Sequence, residues 1–210
     1  MRRWNLVSPP DLKPYFLVHD DLPGPFQWEE FFRNDHPVEI EIGTGRGLFL
    51  LNESQARPDT NFLGMELDYT EGRYAATRMK KRAFPNVRIL GGDAKVAFEK
   101  FVPDGSVAGI HVYFPDPWWK RRHHGRRLME ADFVSRISQA LKPGGNLHFW
   151  TDVLKYFELT VDLLEANGSF ERLPDPVERL PQHDLDYLTN FERKKRQAGL
   201  PIYRSLWRKR

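Results

Sequence analysis

The chain has 210 residues, 40% hydrophobic and 13% aromatic, enough for one domain with a sizeable core and too apolar for wholesale disorder. It has no cysteine, which excludes a disulfide scaffold, a thiolate metal site and cysteine nucleophile chemistry. Its formal charge of +3 conceals a polarity: residues 120–127 carry five Lys/Arg and no acid, residues 192–210 carry eight against Glu192 alone, and the remainder is left at −9. Basic surfaces on an acidic body point to a polyanionic partner, with a solubilising basic tail as the alternative. His123 and His124 sit among arginines and are poor ligands, so no metal is expected. No apolar run approaches the roughly 18 residues of a membrane span. The N-terminal arginines lack the apolar segment of a signal peptide, so no membrane association and a cytoplasmic location are expected.

Residues 1–36 are rich in proline and aromatics without a sustained period and read as an irregular N-terminal arm. From residue 37 to 210 the pattern alternates strand and helix. Strands are predicted at Val38–Ile42, Asn61–Leu67, Val87–Leu90, Val107–Phe114 and Asn146–Thr151. Helices are predicted around Leu48–Gln55, Glu71–Ala83, after Asp93, Glu130–Leu141 and Val153–Ala166. Pro143 with Gly144 and Gly145 marks the end of the fourth of these. Later strands are predicted at Phe170–Leu173 and Ile202–Trp207. Such alternation implies an α/β fold, a mostly parallel sheet with helices on both faces, whose ligands gather at the carboxyl ends of the strands.

Those ends hold the chemistry. Glu41 to Gly47, EIGTGRG, places Gly43, Gly45 and Gly47 between a strand and a helix, where glycine permits a tight turn and a close approach to ligand. A dinucleotide fingerprint wants glycine or alanine where Leu48 stands. The spacing resembles instead the first motif of S-adenosylmethionine-dependent methyltransferases, with an acid two positions before the first glycine. Glu66 ends the second strand, where a carboxylate can accept from ribose hydroxyls. Asp93 ends the third, and fits either an adenine contact or a helix N-cap. Glu39 and Glu41 also fit the solvated face of an edge strand. Glu41, Glu66, Asp93 and Asp116 together form an acidic surround that suits a sulfonium better than a pyrophosphate.

The fourth strand ends in FPDPWWKRRHHGRRL, residues 114–128. Here the chain resembles the bacterial tRNA (guanine-N7-)-methyltransferases. The resemblance extends through GMELD (64–68), GGDA (91–94), LKPGG and the strand to Thr151–Asp152, TNFERK (189–194) and GLPIYR (199–204). It implies a Rossmann-like class I methyltransferase fold with a seven-stranded sheet whose late strand is reversed. It also implies S-adenosylmethionine as methyl donor and a guanine of the tRNA variable loop as acceptor. By the same resemblance Glu41, Gly43, Gly45, Glu66, Asp93 and Asp116 are cofactor-site positions, and Asp116 is also the catalytic position. Lys120, Asp152 and Thr189, Asn190, Phe191 and Glu192 are tRNA-contact positions. Asp152 also reads as a helix N-cap, and Trp118 as either a base-stacking ring or a core aromatic.

Three rival functions fit parts of the pattern. One is a methyltransferase acting on an exocyclic amine of RNA or DNA, and another a non-catalytic RNA-binding protein on the same fold. A nicotinamide-dependent oxidoreductase is the third, weakened by Leu48. The sequence leaves the oligomeric state open between monomer and homodimer.

Overall fold

A computed structural model describes residues 11–118, 127–177, 181–184 and 186–210. The predicted alternation is present: β2 (Val38–Ile42), α2 (Leu48–Ala56), β3 (Asn61–Glu66), α3 (Tyr69–Arg82), β4 (Val87–Gly91), α4 (Ala94–Lys100), β5 (Val107–Tyr113), α5 (Ala131–Ala140), β6 (Leu141–Thr151), α6 (Leu154–Asn167), β7 (Phe170–Leu173) and β8 (Tyr203–Lys209). A 3-10 turn at His19–Asp21 and three further elements were not expected. The three are β1 (Phe16–Val18), α1 (Trp28–Phe32) and α7 (Asn190–Gln197).

Among the described residues one sheet runs in the order β1-β4-β3-β2-β5-β6-β8-β7. It has eight strands, not seven. The added strand is β1, which pairs parallel to β4 with Phe16 opposite Ile89. Part of the segment read as an irregular arm is therefore the edge of the sheet. A three-residue strand is too short to show a period, and its anchors come from elsewhere: Phe16 is buried, and Ile89 N–H donates to the Tyr15 carbonyl at 2.8 Å. The reversed strand is β8, antiparallel to both β6 and β7.

Alternation along the strands divides the core into two layers. Val38, Ile40 and Ile42 of β2 join Phe98 of α4, Val134 and Ile137 of α5, and Tyr156 and Leu164 of α6 on one face. On the other, Leu48–Leu51 of α2 and Ala75, Ala76 and Met79 of α3 cover Phe62, Val87 and Ile89. Because β2 lies between β3 and β5, Glu39 and Glu41 do not sit on a solvated edge strand. Both are on the α2 side, paired in register with Gly109 and His111 of β5.

Local signals set the helix boundaries. Asp68 caps α3 by accepting from the Thr70 and Glu71 amides at 2.8 and 3.4 Å, and Gly168 ends α6 with φ +72°.

Removing the Phe16 ring leaves β1 without its anchor. Phe16→Ala should lower the unfolding free energy by about 3 kcal/mol, read as a reduced urea midpoint at unchanged m-value. A midpoint unchanged from wild type would mean that β1 adds nothing to the core.

Candidate active site

The sheet order reverses between β2 and β5, so the loops after β2 and β5 separate and a cleft opens at the carboxyl edge. A cavity of about 1140 Å³ fills it. Its walls include Glu41 near the end of β2 with Gly43 and Gly45 beyond it, Glu66 closing β3 with Leu67 beyond it, Asp93 after β4, and Asp116 and Trp118 after β5. Four of the five predicted strand ends, from separate parts of the chain, thus meet in one place.

The loop after β2 depends on backbone conformations that side chains resist. Gly43, Gly45 and Gly47 have φ of +81°, +52° and +68°. A Cβ at Gly47 would stand 2.9 Å from the Ala75 Cβ, so glycine also lets α2 begin against α3. The loop is stitched to β3: Gly43 and Thr44 N–H donate to the Met65 carbonyl at 2.9 and 3.2 Å. Glu66 completes the seam, accepting from Gly45 N–H at 2.6 Å through one oxygen and from Asp68 N–H at 2.9 Å through the other. A carboxylate has further lone pairs, so holding the loop is compatible with accepting from a diol.

Glu41 differs from the rest. It is 2% exposed, and its Oε2 has no hydrogen-bond partner among the described residues. Burial, reinforced by the Glu66 charge, raises its pKa well above 4.5, against a smaller opposing effect of the Thr44 hydroxyl. Glu39, two residues earlier on the same face, shifts the other way. Burial opposes its ionisation, but His111 Nε2 at 2.8 Å and the Arg57 guanidinium at 2.7 and 2.8 Å outweigh burial and bring it from 4.5 to about 2. His111 Nδ1 continues to the Tyr113 hydroxyl at 2.9 Å, and Tyr113 lines the cavity.

Asp93 satisfies both readings made of it, capping α4 through Lys95 N–H at 2.8 Å while lining the cavity. Asp116 is exposed, set between Pro115 and Pro117. Phe114 and Trp118 on either side have φ of +53° and +44°, left-handed conformations costly for aromatic residues.

The α7 segment separates. Thr189, Asn190 and Phe191 line the cavity, with Phe191 half exposed and stacked on Phe114 at 6.2 Å between centroids. Thr189 caps α7 through Glu192 N–H at 3.0 Å. Glu192 turns inward: it is 4% exposed, accepts from Leu188 N–H at 2.7 Å and pairs with Arg196 and Arg204, each at 3.4 Å. Asp152 stays outside the cavity wall and pairs with Lys195 of α7 at 2.6 Å. It is not the N-cap of α6, a position taken by Val153. Lys120 and most of the basic run lie outside the described residues. Sequence reading did not find Leu67, Tyr113, Arg46, Lys95, Arg193 and Lys194 in the wall. Arg46, Leu67, Arg193 and Lys194 lie inside the motifs EIGTGRG, GMELD and TNFERK without having been singled out there, and no motif contains Lys95 or Tyr113.

The same architecture is found in solved structures. The 16S rRNA methyltransferase KamB superposes with a TM-score of 0.63 at 15% identity, over 86% of this chain and 91% of that one. The 16S rRNA (adenine(1408)-N(1))-methyltransferase of Catenulisporales acidiphilia, solved with SAM, gives 0.59 at 18% identity, over 87% and 89%. Fold and cleft together define the class I, Rossmann-like methyltransferase fold. A family model described as a putative methyltransferase matches residues 35–205. The tRNA (guanine-N(7)-)-methyltransferase of Rhodopirellula baltica is 45% identical over 95% of this chain and 76% of that protein. The protein of the same name from Aliivibrio salmonicida is 35% identical over 84% and 74%. The chain belongs to the tRNA (guanine-N(7)-)-methyltransferase family.

The two neighbouring glutamates should affect stability in opposite directions. Glu39 ionises more readily folded than unfolded, so its contribution is present above pH 4.5 and lost as pH falls towards 2. Glu41 ionises less readily folded, so ligand-free protein loses stability as pH rises from 4.5 through its raised pKa. In melting curves taken against pH, Glu39→Gln should flatten the acid limb, and Glu41→Gln should stabilise the ligand-free protein on the neutral side. Parallel curves for wild type and both variants would contradict these assignments.

Proposed function

We propose that this protein transfers a methyl group from S-adenosylmethionine to N7 of a guanine in the variable loop of tRNA. Family membership and the activity for which the relatives are named support the reaction. One placement carries the site assignment. Asp116, exposed on a loop held by two prolines, shares a cavity wall with the glycine loop and with Glu41, Glu66 and Asp93.

The residues present suit the donor. Gly43 and Gly45 let the backbone approach it, and Glu66 and Asp93 offer acceptors to ribose hydroxyls and an adenine amine. Glu41 has a buried carboxyl oxygen without a partner among the described residues, the environment in which a hydrogen-bond donor from an amino-acid group is most favourable. S-adenosylmethionine, when bound, supplies an electrophilic methyl on a sulfonium.

Guanine N7 has an in-plane lone pair and no proton, so the reaction asks the protein for alignment and electrostatics and not for a general base. Asp116 accepts from guanine N1–H and the exocyclic amine. Its negative charge favours the positive charge that develops on the base. Trp118 and the half-exposed Phe191 ring offer planes for a base removed from its stack. Lys120 and Asp152, with Thr189, Asn190 and Glu192, complete the tRNA-contact set, Glu192 and Asp152 acting through the placement of α7. No helix among the described residues is long and apolar enough to cross a membrane, and no described cluster could hold a metal. A cytoplasmic location follows from the substrate.

The direct test uses labelled S-adenosylmethionine with an unmodified tRNA transcript and a matched one containing 7-deazaguanine at the variable-loop position. Label should enter the first and not the second. Equal incorporation would move the reaction to an exocyclic amine or another nucleotide. Incorporation into neither, with cofactor binding intact by calorimetry, would leave an RNA-binding protein. Asp116→Asn should lower kcat roughly a hundredfold or more while changing cofactor Kd little. Near-normal turnover removes Asp116 from the mechanism.

A further inference from the structure

Helix α3 carries a third basic segment, hidden in the sequence within a portion of the chain that is acidic on average. Residues 69–82 hold Arg73, Arg78, Lys80, Lys81 and Arg82 against a single acid, Glu71. Gly72, Ala75, Ala76 and Met79 are buried against the sheet, which turns Tyr74, Arg78 and Lys81 outward at helical spacing, with Arg82 beside them.

Three observations distinguish this face from an ordinary solvated one. Glu71 is already paired with Arg46 of the glycine loop at 2.9 Å, and among the described residues Arg78, Lys80, Lys81 and Arg82 have no carboxylate partner. Tyr74 is 51% exposed, and the Arg46 guanidinium lies over its ring at 5.1 Å, an aromatic plane bordered by positive charge. The face also continues directly from the active site: Arg46 lines the cavity, and Arg78 Nη1 donates to the Arg46 carbonyl at 2.7 Å. Lysines and arginines in the last turn complement the helix dipole, but that does not account for Arg46 or the exposed Tyr74.

From this arrangement we propose that the outer face of α3, with Arg46, is a second contact surface for substrate RNA. Arg46, Arg78, Lys81 and Arg82 track the sugar-phosphate backbone, and Tyr74 stacks on an unpaired base. The inference rests on the functional reading above and adds a surface to it. Aromatic rings interleaved with cations suit a single-stranded or loop segment, whose bases are free to stack. An acidic membrane would use the same cations, but the continuity of this face through Arg46 with the cavity favours a strand that also enters the cavity. The helix spans about 21 Å at 1.5 Å per residue, so a strand leaving the cavity can follow it across several phosphates.

The test compares wild type with a Lys81→Glu/Arg82→Glu double variant and, separately, Tyr74→Ala, all in the full chain. Binding of unmodified tRNA is measured across a salt series. The double variant should bind at least about tenfold more weakly at low salt, and its log–log salt slope should be shallower by roughly 1.4 for a single-stranded segment. Tyr74→Ala should weaken binding roughly tenfold with the slope unchanged, because stacking releases no counterions. Turnover at saturating tRNA should hold in both. Loss of folding is read separately, from melting temperature and S-adenosylhomocysteine binding.

Wild-type affinity and slope in the double variant would overturn the proposal, as would unchanged tRNA binding with lost binding to phosphatidylglycerol vesicles. If wild type neither binds nor methylates tRNA, the functional reading falls and this surface falls with it. Normal wild-type activity beside unaffected variants overturns this surface alone.

Discussion

The position of β2 between two parallel neighbours is the constraint on which the rest depends. With β3 on one side and β5 on the other, the connections leaving β2 and β5 must part, and the space between them has no backbone to fill it. The glycine loop keeps that space open. Its left-handed residues turn the chain from strand into helix within a few positions, and three hydrogen bonds donated by its amides to Met65 and Glu66 pin it to the adjacent strand. Glu41 faces a cavity and not a packed core because the loop above it turns this way.

Two carboxylates on one face of β2 show how environment assigns roles to identical side chains. Glu39 is satisfied on all sides by Arg57 and His111, and Gly109, its partner in register, leaves room for its stem: a Cβ there would meet Glu39 Cγ at 3.1 Å. It is a structural ion pair, continued through His111 to Tyr113. Burial and the adjacent His111, stacked on it at 4.7 Å, bring His148 down to about 3, so this part of the sheet carries no second cation. Glu41, one pleat further on, faces the cleft with one carboxyl oxygen, Oε2, unpartnered among the described residues. Such an unsatisfied oxygen costs stability, and it lies in the wall that the glycine loop also lines.

The order of strands and helices from Val38 onward was legible because each strand is a short apolar run ended by glycine, aspartate or proline, and each long helix has an apolar stripe. Glycine loop and strand-end acids were legible for the same reason: topology brings strand ends together without further information. Elements lacking a periodic signal were not legible. The three residues of β1 show no alternation, and their place follows from Phe16 packing on Gly72 and Gly91. Helix α7, NFERKKRQ, buries only Glu192, so its sequence resembles a solvated charge run. What fixes it is the Thr189 cap and the bond from Leu188 N–H to Glu192. Motif matching put Glu192 beside its neighbours as a contact residue, but helical geometry turns the third residue of the turn away from Asn190 and Phe191.

The segment after β5 shows most clearly how the chain prepares a reaction that needs no proton transfer. A displacement at a methyl group is governed by the line of approach, so a mobile acceptor loop would forfeit most of what a protein can contribute. Pro115 and Pro117 restrict φ on both sides of Asp116, and Phe114 and Trp118 hold left-handed conformations costing of order 1 kcal/mol or more each. Such strain persists only where the surroundings over-determine it. Here β5 supplies the restraint: its residues before the loop are almost wholly buried, Phe114 N–H donates to the Trp150 carbonyl at 2.8 Å, and the Phe114 ring stacks on Phe191 of α7. The last contact makes α7 part of the loop's support. Asp152 and Glu192, which anchor α7 through Lys195, Arg196 and Arg204, thereby bear on the position of Asp116 without touching it.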